Sequence, residues 1–105
     1  MVDSIHIEPS TAAWADRDHS LATLSAVADP VRWTVLRRLA DGRACVCELQ
    51  EITGVAPNLL SYHLKVLRQA HLVTTSRRGR WVDYELAEDA LEQMRRALPV
   101  EVGEP

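Results

Sequence analysis

Apolar residues recur at helical spacing over most of the chain, and at a spacing of two only between residues 73 and 86. The clearest helical segment is Ala56 to Leu72, APNLLSYHLKVLRQAHL. Leu60, Leu64 and Leu67 stand at i, i+4 and i+7, one stripe of a 3.6-residue helix, while Asn58, Ser61, Tyr62 and Lys65 stand at i, i+3, i+4 and i+7 on the other side. Upstream, Leu21, Leu24 and Ala28 predict a helix over Ala12 to Ala28, with Ser25 filling the remaining place and Trp14 further up. Asp29-Pro30 follows, a capping side chain before a proline at the first helical position, and is the strongest helix start in the chain. The helix it opens, Pro30 to Ala40, turns Val31, Val35, Leu36 and Leu39 inward, and Asp41-Gly42 stops it. Leu49 and Ile52 mark a short helix over Val46 to Thr53, ended by Gly54. Then the period changes. Val73 to Ser76 and Trp81 to Leu86 are rich in β-branched and aromatic residues, with Val82, Tyr84 and Leu86 alternating against Asp83 and Glu85. They flank Arg77-Arg78-Gly79-Arg80, which predicts a hairpin with a cationic tip. A last helix, Glu88 to Leu98, carries Leu91, Met94 and Leu98 on one stripe, with acidic residues at its start and Arg95 and Arg96 at its end, as the helix dipole favours.

These elements assemble into a mainly α fold with one small β-hairpin. Two helices joined by a short glycine-containing turn, the second with a polar face, make a helix-turn-helix, and the hairpin behind it is a wing. The reading is therefore a winged helix-turn-helix of five helices plus wing over residues 12–98, preceded by a poorly ordered arm, 1–11, and followed by a frayed tail, 99–105. A chain of 105 residues forms one domain, at a size where a partner subunit often supplies part of the burial. The first and last helices carry apolar stripes outside the core of the motif, so a homodimer is expected.

Charge sharpens this picture. The formal net charge of -3 argues superficially against nucleic acid, but Ala56 to Val82 holds five of the 12 basic residues (Lys65, Arg68, Arg77, Arg78 and Arg80) and none of the 15 acidic ones. A basic region inside an acidic protein is a footprint for a polyanion. Amide, hydroxyl, phenol and ammonium groups on one helical face, without a carboxylate, are the inventory that reads base edges and holds phosphates in a major groove. Asn58, Ser61, Tyr62 and Lys65 are the expected groove contacts, and Arg78 and Arg80 the contacts to the backbone or minor groove. His63 lies beside the Leu60/Leu64 stripe and reads as a partly buried histidine with a hydrogen-bond partner. A solvated face and a solvated turn are the plain alternatives.

The two cysteines, Cys45 and Cys47, are too close together to make a useful structural staple and fit metal or redox chemistry better than a disulfide framework. On a regular helix, side chains two apart diverge by about 200°, so both reach one ion only at a frayed or non-helical N-terminus. Thiolates favour soft or borderline ions such as arsenite, cadmium, lead, zinc or copper(I). A further ligand would come from elsewhere: His6, Asp3 or Glu8 of the arm, or His19 of the first helix, from either subunit. Nickel or zinc held through His6 and the arm is the other metal option, and oxidation of the cysteines is a third. No organic cofactor is implied. No glycine-rich phosphate loop or nucleophile elbow supports an enzyme, and the pair is CxC where thiol oxidoreductases have CxxC. A winged-helix module that binds protein instead of DNA is the more serious rival. No apolar run of membrane-spanning length and no signal-peptide pattern occurs, so the expected location is the cytoplasm.

Several segments together resemble the ArsR/SmtB family of bacterial winged-helix repressors, which sense metals and other small signals. They are Ala28-Asp29-Pro30-Val31-Arg32, Cys45-Val46-Cys47-Glu48-Leu49, Ser61-Tyr62-His63-Leu64-Lys65-Val66-Leu67 and Gly79-Arg80-Trp81-Val82-Asp83-Tyr84, in that order, within a run from Leu24 to Leu86 that covers about three fifths of the chain. The resemblance implies a homodimer with first and last helices packed across the two-fold. It places two recognition helices in successive major grooves of a roughly palindromic DNA operator, which an effector releases. Cys45 and Cys47 stand where members with a sensor in the third helix place their first two cysteine ligands, whereas Gln50 stands where a further cysteine is usual. The family's other site, Asp and His on the last helix, looks absent, since Glu88 to Leu98 has no histidine or cysteine. Two more departures concern the recognition helix. Ala56 replaces the usual serine cap, a loss of roughly 1 kcal/mol, and His71 replaces the glycine that usually follows the helix.

Overall fold

The computed structural model describes residues 11–100. Five helices and three strands run in the order α1 (Thr11–Val27), α2 (Pro30–Leu39), β1 (Ala44–Cys45), α3 (Val46–Thr53), α4 (Pro57–Gln69), β2 (Val73–Arg78), β3 (Trp81–Leu86) and α5 (Ala90–Ala97). The start of α2 follows from its sequence: Oδ1 of Asp29 accepts the Val31 and Arg32 amides at 2.8 and 3.1 Å, with Pro30 in the first turn. Gly54 ends α3 in the left-handed region at φ +68, and Gln50 reaches over the turn to the Val55 carbonyl.

The α4 helix has no side-chain cap. Ala56 sits at the cap in extended conformation and only its carbonyl takes part, accepting from the Leu59 and Leu60 amides. At the far end the chain turns through His71 at φ +60, the one positive-φ residue other than glycine among those described. The His71 and Leu72 amides return to the Arg68 and Leu67 carbonyls at 2.9 and 3.1 Å, a Schellman closure that points the chain into β2.

The core lies between α2, α3, α4 and the sheet. Val35, Leu49, Leu60, Leu64, Leu67 and Leu72 are all at most 3% exposed, so truncating any of the leucines removes about 2–5 kcal/mol. The stripes of the outer helices behave differently. Leu21, Leu91 and Leu98 face out, and α1 instead buries Thr23 and Ala26, while α5 buries Ala90 and Ala97. Of the two residues that mark α3, Leu49 is buried and Ile52 is half exposed.

Two features of the sheet differ from the pattern-based expectation. It has three strands, not two, in the order β1-β3-β2, with Ala44 opposite Tyr84 and Cys45 opposite Asp83. A two-residue strand leaves no periodic signal; its pairing is set by β3. The wing is also longer, because Arg77 and Arg78 pair with Val82 and Trp81 inside the ladder, leaving only Gly79 and Arg80 in the turn. Gly79 has φ +59, as a two-residue hairpin turn requires. With α3 and α4 joined by a tight turn and β2–β3 behind them, the architecture is a winged helix-turn-helix.

Candidate nucleic-acid interface and cysteine pair

One arginine ties the middle of α4 to the end of α1 and the start of α2. The guanidinium of Arg32 donates to the Ala26 carbonyl at 2.7 Å, to that of Ser25 at 3.3 Å and to Nδ1 of His63 at 2.8 Å. Arginine only donates, so Nδ1 of His63 accepts. The end of α1, the start of α2 and the middle of α4 thus meet at a histidine only 6% exposed, with Asp29 3.8 Å away. His63 has the partner that its place beside the leucine stripe suggests, and is buried more fully than expected.

With that face fixed inward, Asn58, Ser61, Tyr62 and Lys65 share the exposed side of α4, joined there by Leu59. Lys65, Arg68, Arg77 and Arg80 have no ion-pair partner among the described residues, so their charge is open to a polyanion. Arg78 differs. Its Nε and Nη2 donate to the two carboxylate oxygens of Asp83 at 2.5 and 3.2 Å, leaving Nη1 without a hydrogen bond among the described residues in a side chain still 62% exposed.

Asp83 is the residue that the alternating pattern misplaced. Set among the polar positions of β3, it is 2% exposed, under Arg78 on one side and Arg43, 3.9 Å away, on the other. The hydrogen bonds from Arg78 hold its carboxyl below the usual carboxylate range against the opposing effect of burial, helped by the charges of Arg78 and Arg43. The only signal in the sequence is the excess of arginine around it.

Cys45 and Cys47 come together at the junction of β1 and α3, joined by a disulfide with Cα atoms 5.3 Å apart. The spacing favours metal or redox chemistry over a disulfide framework; the structure bonds the pair, although a ring closed over one intervening residue constrains little chain. Convergence is achieved by the non-helical start that the spacing demanded. Cys45 is the N-cap of α3 in extended conformation (φ -82, ψ 163), and Cys47 lies in the first turn. A capping box completes the corner: Cys45 Sγ accepts the Glu48 amide at 3.4 Å, and Oε1 of Glu48 accepts the Cys45 amide at 3.3 Å. Oε2 of Glu48 accepts from Arg38 at 3.1 Å, and this bond, with that from the Cys45 amide, lowers the pKa of Glu48. Among the described residues no three His, Cys, Asp or Glu converge on a common point. His6, with Asp3 and Glu8, lies outside the described residues, as do all but Thr11 of the arm and the tail beyond Val100.

The "Bacterial regulatory protein, arsR family" model matches residues 29–75. The arsenical resistance operon repressor of Bacillus subtilis is 42% identical over 65 residues, 61% of this chain and 62% of that protein. A transcriptional repressor SmtB homolog of Synechocystis is 31% identical over 92 residues, 88% of this chain and 70% of that protein. The chain thus spans less than two thirds of the Bacillus repressor's length. Among solved structures, the homodimeric winged helix-turn-helix DNA-binding domain of Mb0332 from Mycobacterium bovis superposes with a TM-score of 0.73 at 28% identity, covering 82% of this chain and 81% of that one.

Proposed function

The chain belongs to the arsR family of bacterial regulatory proteins, and from that premise we propose that it is a homodimeric transcriptional repressor released from its operator when an effector engages Cys45 and Cys47. The observation that carries the DNA half is the exposed face of α4, with Asn58, Ser61, Tyr62 and Lys65 beside unpaired cations. In this reading the first three contact base edges, Lys65 and Arg80 contact phosphates, and Arg78 contributes its free Nη1. The outward leucines of α1 and α5, Leu21, Leu91 and Leu98, form the dimer contact, which sets the two recognition helices on an imperfect palindrome.

The sulfurs of Cys45 and Cys47 converge, so once reduced they can serve a single thiophilic centre such as arsenite, cadmium or lead, with zinc as the borderline case. Bound there, the ion supplies a positive centre that holds the two thiolates together. Within one chain no third ligand among the described residues joins them, and that role falls to His6 or a carboxylate of the arm, or to His19 of the first helix in the other subunit. The disulfide itself supports a second reading, in which the effector is an oxidant. Two thiols pass two electrons to a peroxide or a small disulfide, lose two protons and form the Sγ–Sγ bond.

The test is fluorescence anisotropy of DNA from the protein's own upstream region, at two salt concentrations, with reduced protein, oxidised protein, and reduced protein plus arsenite, cadmium or nickel. Roughly nanomolar binding that weakens steeply with salt and is lost with one ion, but kept by Cys45→Ser/Cys47→Ser in that ion, is the expected result. Release by oxidation alone selects the second reading. Binding insensitive to salt and to every treatment refutes both and leaves the protein-binding module.

A further inference from the structure

We propose that Asp83 is the joint through which the cysteine pair controls the wing; the proposal rests on the reading that an effector acts at Cys45 and Cys47. β3 lies between the sensor strand and the wing strand, and Asp83 faces both, opposite Cys45 in β1 and opposite Ser76 in β2. Its carboxylate grips Arg78, the last residue of β2, through two hydrogen bonds, and sits 3.9 Å from Nε of Arg43, two residues before Cys45. Arg43, Ala44, Cys45, Glu48, Arg78 and Asp83 line one polar cleft of about 210 Å³. The cysteine corner and the turn end of the wing are therefore two walls of one cavity, and Asp83 is its buried charge.

A buried carboxylate needs partners, and here both come from segments that an effector moves. β1 has only two residues and one paired neighbour, so it is the part of the sheet least held by ladder bonds. Cys45 Sγ also caps α3. When the sulfurs turn toward an ion, the cap on the Glu48 amide is given up and β1 shifts with Cys45. Arg43 moves with it, and the electrostatic balance at Asp83 changes. Arg78 then re-aims, because both Asp83 oxygens fix its guanidinium, and Trp81, paired with Arg78 across the turn, moves with the tip. Asp83 is a positioning residue in this account. It touches neither DNA nor effector, and it sets whether one is felt by the other.

The experiment compares Kd for operator DNA of the reduced protein with and without arsenite or cadmium, in wild type, Asp83→Asn and Arg43→Gln. Couplings of this kind span about 5–150-fold. Wild type should fall in that range, Asp83→Asn should shrink the ratio to within about threefold of unity, and Arg43→Gln should give an intermediate ratio. Ion affinity, measured by thiolate absorbance without DNA, should stay within about twofold of wild type in both variants. A second readout needs no DNA: with Trp14 and Trp33 replaced by Phe, the ion should change Trp81 emission in the Asp83 protein and not in Asp83→Asn. Arg43 is half exposed, so its variant folds even where Asp83→Asn does not. Variants that bind DNA more weakly but keep the wild-type ratio would reduce Asp83 to a structural clamp and overturn the proposal. A wild type released neither by an ion nor by oxidation would overturn the effector reading as well.

Discussion

His71 is the place where local chemistry and global path conflict most openly, and replacing it by glycine should stabilise the protein. The residue occupies the C′ position of α4 at φ +60, with both Schellman hydrogen bonds formed behind it. Left-handed backbone costs a residue with a Cβ about 1–2 kcal/mol. Glycine removes that strain but gains freedom in the unfolded chain worth roughly 0.5–1 kcal/mol. The exposed imidazole makes no hydrogen bond or ion pair among the described residues, because the Gln93 amide that reaches this residue bonds its carbonyl, at 2.8 Å. The net expectation for His71→Gly is a gain of about 0.5–1 kcal/mol, or roughly 2–8 °C in Tm for a domain of this size. His71→Ala, which keeps the strain, should stay within about 0.5 kcal/mol of wild type. The assay is urea and thermal unfolding of reduced protein at one fixed concentration, since association of subunits shifts the apparent stability. A glycine variant no more stable than wild type, or an alanine variant that gains equally, refutes the strain argument.

The other predictions use the same unfolding assay. Ala56 already has the extended φ and ψ of a cap residue, at -62 and 148, so Ala56→Ser should supply the missing hydrogen bond and add about 0.5–1 kcal/mol; no gain would mean that water caps the helix equally well. Asp29→Ala strips the cap of α2 and the charge beside His63, and should lose about 1–2 kcal/mol with a lower urea midpoint. Asp83, Glu48 and Glu92 all have pKa values lowered by arginine partners, so their contribution is complete above about pH 4.5, where carboxylates of the unfolded chain are ionised, and is lost as pH falls through their lower folded values. The urea midpoint should therefore drop between pH 5 and pH 3, and drop less in Asp83→Asn. An equal drop would place the acid sensitivity elsewhere.

What could be read from the chain was whatever repeats. The α4 helix shows its faces because leucine and polar residues alternate at helical period over four turns, and the arrangement of exposed Asn58, Ser61, Tyr62 and Lys65 follows from that period alone. Ends marked by special residues were also readable, as at Asp29-Pro30 and Gly54. The two-residue β1 was not, since it owes its form to a partner some forty residues away, and with it went the meaning of Asp83. Alternation in a strand states which residues share a face; it does not state whether that face meets water or an arginine. The outer helices are legible in part, since their stripes lie outside the motif's core as expected. Their stripes are real, but a stripe does not name the surface it packs on, and here Leu21 and Leu91 point away from the chain's own core.

The capping role of Cys45 bounds what an effector at this corner can do by itself. A lost N-cap is worth about 1 kcal/mol, close to a fivefold change in an equilibrium constant, since 1.4 kcal/mol is tenfold. The Cys45 cap is a sulfur at 3.4 Å, a weaker acceptor than an oxygen, so its loss lies at or below that value. Fivefold is only the floor of ordinary coupling between two sites. Loosening α3 would also act on the wrong element, because α3 supports α4 without carrying the residues proposed to face the groove. On the proposed function, release needs the change delivered to a group that contacts DNA, and from Cys45 the covalent and hydrogen-bonded route to Arg78, proposed as such a contact, runs through β1 and Asp83. Serine at position 45 would keep the cap and the strand while removing the ligand, so Cys45→Ser should leave operator affinity and stability near wild type and abolish release alone.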